Sequence, residues 1–346
     1  MEDVIKIISE LKPLIDKEIE KHIPKKGKPE VLFNGCWEYF EYGGKRFRPA
    51  LIAISCETLD GKVKDTIPAG AALEIAHTFL LIHDDIEDDS KIRRGKQCLH
   101  IKYGVPHAIN IGDYLMMKVY ETLLSGQKIW GSEKTIKILQ LITEMLLETG
   151  EGQAMEIEQR GKDLTEATMK WYETMSLKKT GYYTGGTPCA IGGVIAGGTE
   201  KEIEALKKFG YAVGIAFQIQ DDILNVTMSE KEESIAPGAT GGGYGKDFAG
   251  DIKEGKRTLL VVHAFENANR EDKTKMSQLI GKKNITMEGK REVINIMKKY
   301  GSIDYTKEYA RNIVRQAIKD LRKVIPERKG RKKLESIAYF LIERKF

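Results

Sequence analysis

Cysteine is scarce. Cys36, Cys56, Cys98 and Cys189 are the only four in 346 residues, too far apart for the paired spacing of a metal site. That excludes a disulfide scaffold and suits reduced, packed thiols in a cytoplasmic protein. Proline is scarce too, nine in all, and aromatic residues make up 8% of the chain. The aromatics are not interleaved with a basic stripe and no nucleic-acid motif occurs, so no nucleic-acid partner is expected. Charge of one sign is nearly absent as a surplus: 56 Lys and Arg against 51 Asp and Glu leave +5, enough for a handler of small anions. No apolar run reaches the roughly 18 residues of a membrane span. The opening MEDVIKIISELKPLIDKEIEKH mixes acids and bases with apolar residues at helical spacing, unlike a secretory signal.

What remains is helix. From Thr66 to Asp89, apolar residues including Ile67, Ala71, Leu73, Ile75, Ala76, Phe79, Leu80 and Ile82 predict one long, largely buried helix. Similar patterns cover Glu133 to Thr149, Thr165 to Tyr183, Lys201 to Asn225, Thr258 to Ala268 and Tyr305 to Lys323. Period-two alternation is missing, so no sheet is expected. The glycine-rich Gly185 to Gly198 reads as a tight helix–helix contact. No linker divides the chain. A glycine- and charge-rich loop insertion at about 229–245 reads as a surface loop between two motif-bearing segments, with the character of a lid. The expectation is a single all-α domain over residues 1–346.

The chemistry concentrates in LLIHDDIEDDSKIRRGK, residues 80–96. Asp84 and Asp88 are four apart and share a helical face, with Asp85 on the flank. A solvated acidic helix end would explain any single acid. It does not explain why the acids end a strongly apolar helix, or why a second pair, Asp221 and Asp222, ends another at AFQIQDDILN. Clustered carboxylates call for a cation. Magnesium takes oxygen ligands and commonly links one or two carboxylates to substrate phosphates. Arg93 and Arg94 follow, with guanidinium groups suited to bidentate contact with diphosphate oxygens.

DDIED with RRG, then FQIQDD, together with GGKRFRP at 43–49, KTGYYT at 179–184 and GKDFAGDIKEGKRT at 245–258, resembles the trans-isoprenyl diphosphate synthases, the polyprenyl synthetase family. The five segments occur in the family's order. The resemblance implies the isoprenoid synthase fold, a bundle of long helices around a central apolar cavity, working as a homodimer. It implies about three magnesium ions: two on Asp84, Asp85 and Asp88, one on Asp221 and Asp222. Asn225 stands where many members carry another aspartate, which puts that last ligand in doubt. Lys45, Arg48, His77 and Arg94 match the isopentenyl diphosphate binders. Arg93, Lys179, Lys246 and Lys256 match the allylic diphosphate binders, and Thr180 and Gln218 flank the cation. For His77 a satisfied core histidine is the alternative.

Product length follows from side chains before Asp84. Phe79 lies five residues earlier, roughly 7.5 Å along a helix axis, Leu80 four earlier and Ala76 eight earlier. This pattern is similar to that of archaeal-type geranylgeranyl enzymes, so a C20 product from dimethylallyl, geranyl or farnesyl primers is expected over C15. Plain core packing is the alternative for Phe79. A one-substrate terpene cyclase would lack GGKRFRP and RRG. A non-catalytic partner subunit would lack one or both aspartate motifs. The basic ERKGRKK at 327–333 reads as a solvated helix end.

Overall fold

The computed structural model describes residues 2–44, 46–227 and 248–343. Lys45, Lys246 and the whole 229–245 loop lie outside the described residues. The helices are α1 (Glu2–His22), α2 (Glu30–Glu41), α3 (Phe47–Thr58), α4 (Ile67–Glu87), α5 (Leu99–Lys102), α6 (Val105–Ser125), α7 (Gln127–Arg160), α8 (Met169–Ser176), α9 (Thr187–Ala196) and α10 (Glu200–Thr227). Then come α11 (Gly250–Glu254), α12 (Leu259–Asn267), α13 (Arg270–Leu279), α14 (Met287–Lys299), α15 (Ser302–Val324) and α16 (Lys329–Glu343). Leu177–Gly186 forms a π-helical segment between α8 and α9. Three of the few prolines, Pro68, Pro106 and Pro188, stand in the first turns of α4, α6 and α9, where a missing N–H costs nothing. The fold is all-α, as expected.

One small sheet corrects the expectation of none. Ile92–Arg93 pairs antiparallel with Lys96–Gln97. Arg94 and Gly95, with φ of 52° and 75°, make the turn. Two positive φ values in a two-residue hairpin favour glycine at the second position, which the RRG triplet supplies.

The chain forms two compact units. The first comprises Met1–Glu144, Gly185–Gly210 and Lys319–Ile337; the second comprises Met145–Thr184, Tyr211–Ile318 and Ala338–Phe346.

In the first unit, Leu11, Ile15 and Ile19 recur every fourth residue of α1 and are buried. Ile15 lies against Gly70 of α4. Leu73, Ile75, Phe79 and Ile82 make α4 a core helix, each contributing about 2 kcal/mol of apolar burial. By length and composition alone Val63–Glu87 could cross a membrane, but 72% of its apolar window is buried inside the protein, as in a core helix. The contact expected at Gly185 to Gly198 is present. A Cβ on Gly192 of α9 would come within 2.7 Å of the Ser55 side chain and 2.9 Å of the Cys56 nitrogen on α3. All four cysteines are free and buried, and burial pushes the thiols of Cys36, Cys56, Cys98 and Cys189 up to about 12.

In the second unit, Ala310, Val314 and Ile318 repeat every fourth residue on α15, and Val293, Ile294 and Met297 line α14. Side chains cap several starts: Thr168 accepts from the Trp171 N–H, Thr258 from Val261 and Thr286 from Gly289, each worth about 1 kcal/mol.

Candidate active site

The first unit gathers charge at the end of α4. The hairpin returns Arg93 to the helix, where Nε donates to Asp85 Oδ1 at 2.8 Å and Nη2 to Asp84 Oδ2 at 3.1 Å. Tyr39 of α2 donates its hydroxyl to the other Asp85 oxygen. The Asp85 side chain has 0% exposure. Successive helical residues point about 100° apart; both carboxylates reach the Arg93 guanidinium, but they differ in burial. Asp85 turns inward and orients Arg93. Asp84, with 25% of its side chain exposed, shares the outer face with Asp88. Burial alone would lower Arg93, but the Asp85 and Asp84 carboxylates raise it above the ordinary arginine value and keep it charged.

Two turns before Asp84, on the same face of α4, stands His77. Desolvation, then the charges of Arg48, Arg94, Arg93 and Arg46, hold its imidazole well below the usual range. Arg94 is likewise lowered by burial and by Arg93. Burial comes first in both cases, and the arginine charges that add to it mark a cluster where positive potential is concentrated, a setting for an anion. Arg46 is anchored by Glu74 at 2.8 Å and by Asp16 at 2.7 Å. It holds φ 49°, and Arg94 holds φ 52°, strained backbone of the kind that clusters at binding sites. Arg94 also donates to the Gly43 carbonyl. Phe79 is 4% exposed and meets His83 edge-on at 6.0 Å. It lies about 140° around the helix from Asp84, whereas Leu80 lies about 40° away. Ala76 is fully buried.

The second unit gathers its own set of polar side chains. Thr180, in the π segment, donates to Gln218 Oε1 at 3.3 Å, and Gln218 Nε2 donates to Asp222 Oδ1 at 2.7 Å. A polar chain thus runs from the π segment to the aspartate pair of α10. Wide helical turns of this kind are frequent at functional sites. Burial, then Asp251, raises Asp222 well above the usual carboxylate range, with Asp221 and Glu156 adding to it. Asn225 spends its side-chain oxygen on the Asp251 N–H at 3.3 Å; it fastens the α11 loop. Lys256 lies 2.7 Å from Glu254 and 3.5 Å from Asp251. Lys179 is 2.8 Å from Glu156.

These donor sets fit magnesium. Asp84 with Asp88, and Asp221 with Asp222 and Asp251, offer carboxylate oxygens only, and beyond burial the neighbouring carboxylates of Asp251 and Asp221 add to the rise of Asp222. Among the described residues no group of three or more His, Cys, Asp or Glu forms a ready cage. None is needed where substrate phosphates complete the shell.

Sequence reasoning missed Tyr39, Asp16, Glu74, Glu156 and Asp251. Asp251 sat in the GDIKEGK segment, five residues after the lysine of GKD, and was legible there. The others carry no local signal.

Carboxylates beside clustered arginines and lysines suit a protein that handles a polyanion together with a divalent cation. The polyprenyl synthetase family model matches residues 29–297. Geranylgeranyl diphosphate synthase of Sulfolobus acidocaldarius is 34% identical over 345 residues, covering 98% of this chain and 97% of its own. Short chain isoprenyl diphosphate synthase of Methanothermobacter thermautotrophicus is 35% identical over 344 residues, 99% of each chain. The crystal structure of geranylgeranyl pyrophosphate synthetase from Pyrococcus horikoshii matches with a TM-score of 0.88 at 36% identity, over 99% of both chains. The chain belongs to the polyprenyl synthetase family: it is a prenyltransferase with the isoprenoid synthase fold.

Proposed function

We propose that the protein joins isopentenyl diphosphate head-to-tail, in trans, to a dimethylallyl, geranyl or farnesyl primer and releases geranylgeranyl diphosphate as its main product. The observation that carries this reading is on α4: His77, surrounded by the charges of Arg48, Arg94, Arg93 and Arg46, and the acidic pair Asp84 and Asp88 share one helical face. A reaction between two diphosphates needs both, one to grip an anion directly and one to grip it through a cation.

Asp84, Asp88, Asp221 and Asp222 would hold about three magnesium ions, with Asp251 supporting the second group. When bound, magnesium supplies Lewis-acid neutralisation of the leaving diphosphate. Asp85 then acts through Arg93 instead of as a ligand. Arg48, His77 and Arg94, with Lys45, bind isopentenyl diphosphate. Arg93, Lys179 and Lys256, with Lys246, bind the allylic diphosphate and stabilise its developing charge. The Thr180 and Gln218 oxygens lie beside the allylic cation. Attack by the isopentenyl double bond forms the new C–C bond, and one proton leaves to restore the alkene, taken up by the released diphosphate. No side-chain nucleophile takes part.

Phe79, Leu80 and Ala76 set the length of the growing tail. The chain acts as one polyprenyl synthase domain, in support of which the family match spans both compact units. It works in the cytoplasm as a homodimer, without a membrane span. Exposed apolar residues on one stripe of α6, Val105, Ile109, Met117 and Leu124, between 43% and 56% accessible, support a second copy there.

The test is incubation of the purified protein with labelled isopentenyl diphosphate and C5, C10 or C15 primers, with magnesium or with chelator, followed by sizing of the dephosphorylated products. Magnesium-dependent C20 is the expected result. A C15 or C25 product would overturn the length assignment, and no elongation from any primer by folded protein would overturn the activity.

A further inference from the structure

Lys179 is clasped at both ends by one turn of α7. Gly152 lies where the backbone of the π segment touches the helix: a Cβ there would come within 2.7 Å of Lys179 Cα and 2.8 Å of the Lys178 carbonyl carbon. One turn on, Glu156 accepts from the Lys179 ammonium at 2.8 Å and from Arg160 at 2.5 Å. Lys178, the neighbour, is pinned to the same helix by Glu148 at 2.7 Å and Glu151 at 2.5 Å. Residues four apart share a helical face, so Gly152 fixes the lysine's main chain and Glu156 its head group.

We infer that Glu156 is a positioning residue for the reaction, holding the Lys179 ammonium in place before the allylic diphosphate arrives. This rests on the diphosphate-transfer reading above. Lysine is a point charge on a flexible four-carbon stem and loses much rotamer freedom when it must be held in one geometry. A fixed carboxylate removes most of that freedom in advance, the general route by which preorganisation favours a transition state. Glu156 is 7% exposed. Burial acts to raise it, yet Lys179, Lys256 and Arg160 bring it down to about 2. The carboxylate therefore stays charged at any working pH and holds the Lys179 ammonium through charge as well as shape.

The test is a double-mutant cycle with E156Q and K179A, read by steady-state kinetics and by calorimetric binding of inorganic pyrophosphate in the presence of magnesium. E156Q preserves shape and removes charge. We expect it to lower kcat with a farnesyl primer by about 10- to 100-fold. Pyrophosphate should bind no more weakly than to wild type, since an anion has been removed. In the K179A background E156Q should add no further loss, because its effect passes through that lysine. E156D, which keeps the charge, should restore part of kcat. Additive losses, or weakened pyrophosphate binding in E156Q without K179A, would overturn the inference and mark Glu156 as structural. An inactive wild type would instead remove the underlying reading, so the two failures are distinguishable.

Discussion

Two glycines on α7, two residues apart, should respond to the same substitution with opposite signs. Gly150 is exposed, and nothing lies within 4 Å of a Cβ placed there. Replacing it by alanine reduces the backbone entropy lost on folding a helix, a gain of about 0.5–1 kcal/mol. Gly152→Ala gains the same helical term but sets its Cβ 2.7 Å from Lys179 Cα. The Lys179 backbone nitrogen lies closer still; ordinary carbon contacts lie near 3.5 Å, so the π segment must retreat by about 0.8 Å or more. Overpacking of this kind costs about 1–3 kcal/mol, and the atoms struck are backbone, which cannot rotate away. Net destabilisation of about 1–2 kcal/mol follows. A shift approaching 1 Å at a positioned charged group costs up to about 100-fold in rate. Thermal unfolding should place Gly150→Ala about 2 °C above wild type and Gly152→Ala several degrees below. Prenyl transfer should be unchanged in the first and reduced about 10- to 100-fold in the second. If both variants shift stability in the same direction, or if Gly152→Ala keeps full activity, the close approach of α7 to Lys179 is not what the site depends on.

Glu156 also sets an acid limit on stability. Its pKa falls from 4.5 to about 2 in the fold, which at 1.36 kcal/mol per unit is about 3 kcal/mol. A depressed folded-state value means that this contribution is complete above about pH 4.5 and is lost as pH drops towards 2; acid titration of E156Q should lack that slope, and an identical acid limb in both proteins would refute it. Asp84→Asn and Asp85→Asn should separate: the first raises the magnesium concentration needed for half-maximal rate, whereas the second leaves it near wild type and loses about 3 kcal/mol of stability by unpairing buried Arg93. Equal magnesium dependence in both would contradict the division of roles. Phe79→Ala should lengthen the product beyond C20 and cost about 3–5 kcal/mol for the cavity; a destabilised enzyme with unchanged product would make Phe79 a core residue only.

Much of the site was legible because its signals are local. The apolar period of 3.6 that gives way at Asp84 follows from how side chains project along one helix, and the glycine of RRG answers the φ demand of one turn; at Asp221 the expected end is absent, since α10 continues to Thr227 with Ile223, Leu224 and Val226 buried. So the all-α fold and the aspartates near the end of α4 could be read without coordinates, and GGKRFRP, KTGYYT and GDIKEGK could be named as candidate segments. Roles that depend on a remote partner could not. Asp85 and Asp84 are adjacent and chemically identical, and only the arrival of Tyr39, 46 residues distant, turns one into a buried anchor. Arg46 finds Asp16 from 30 residues away and Lys179 finds Glu156 from 23. Asn225 exchanges a supposed ligand role for the Asp251 N–H. The sequence by itself determined which segments are helical and which residues could carry charge chemistry, because periodicity and turn preference act over a few residues. Only the tertiary structure decided which charges pair with one another and which remain for a substrate, because burial and Coulomb attraction act between chain segments whose approach no local pattern records.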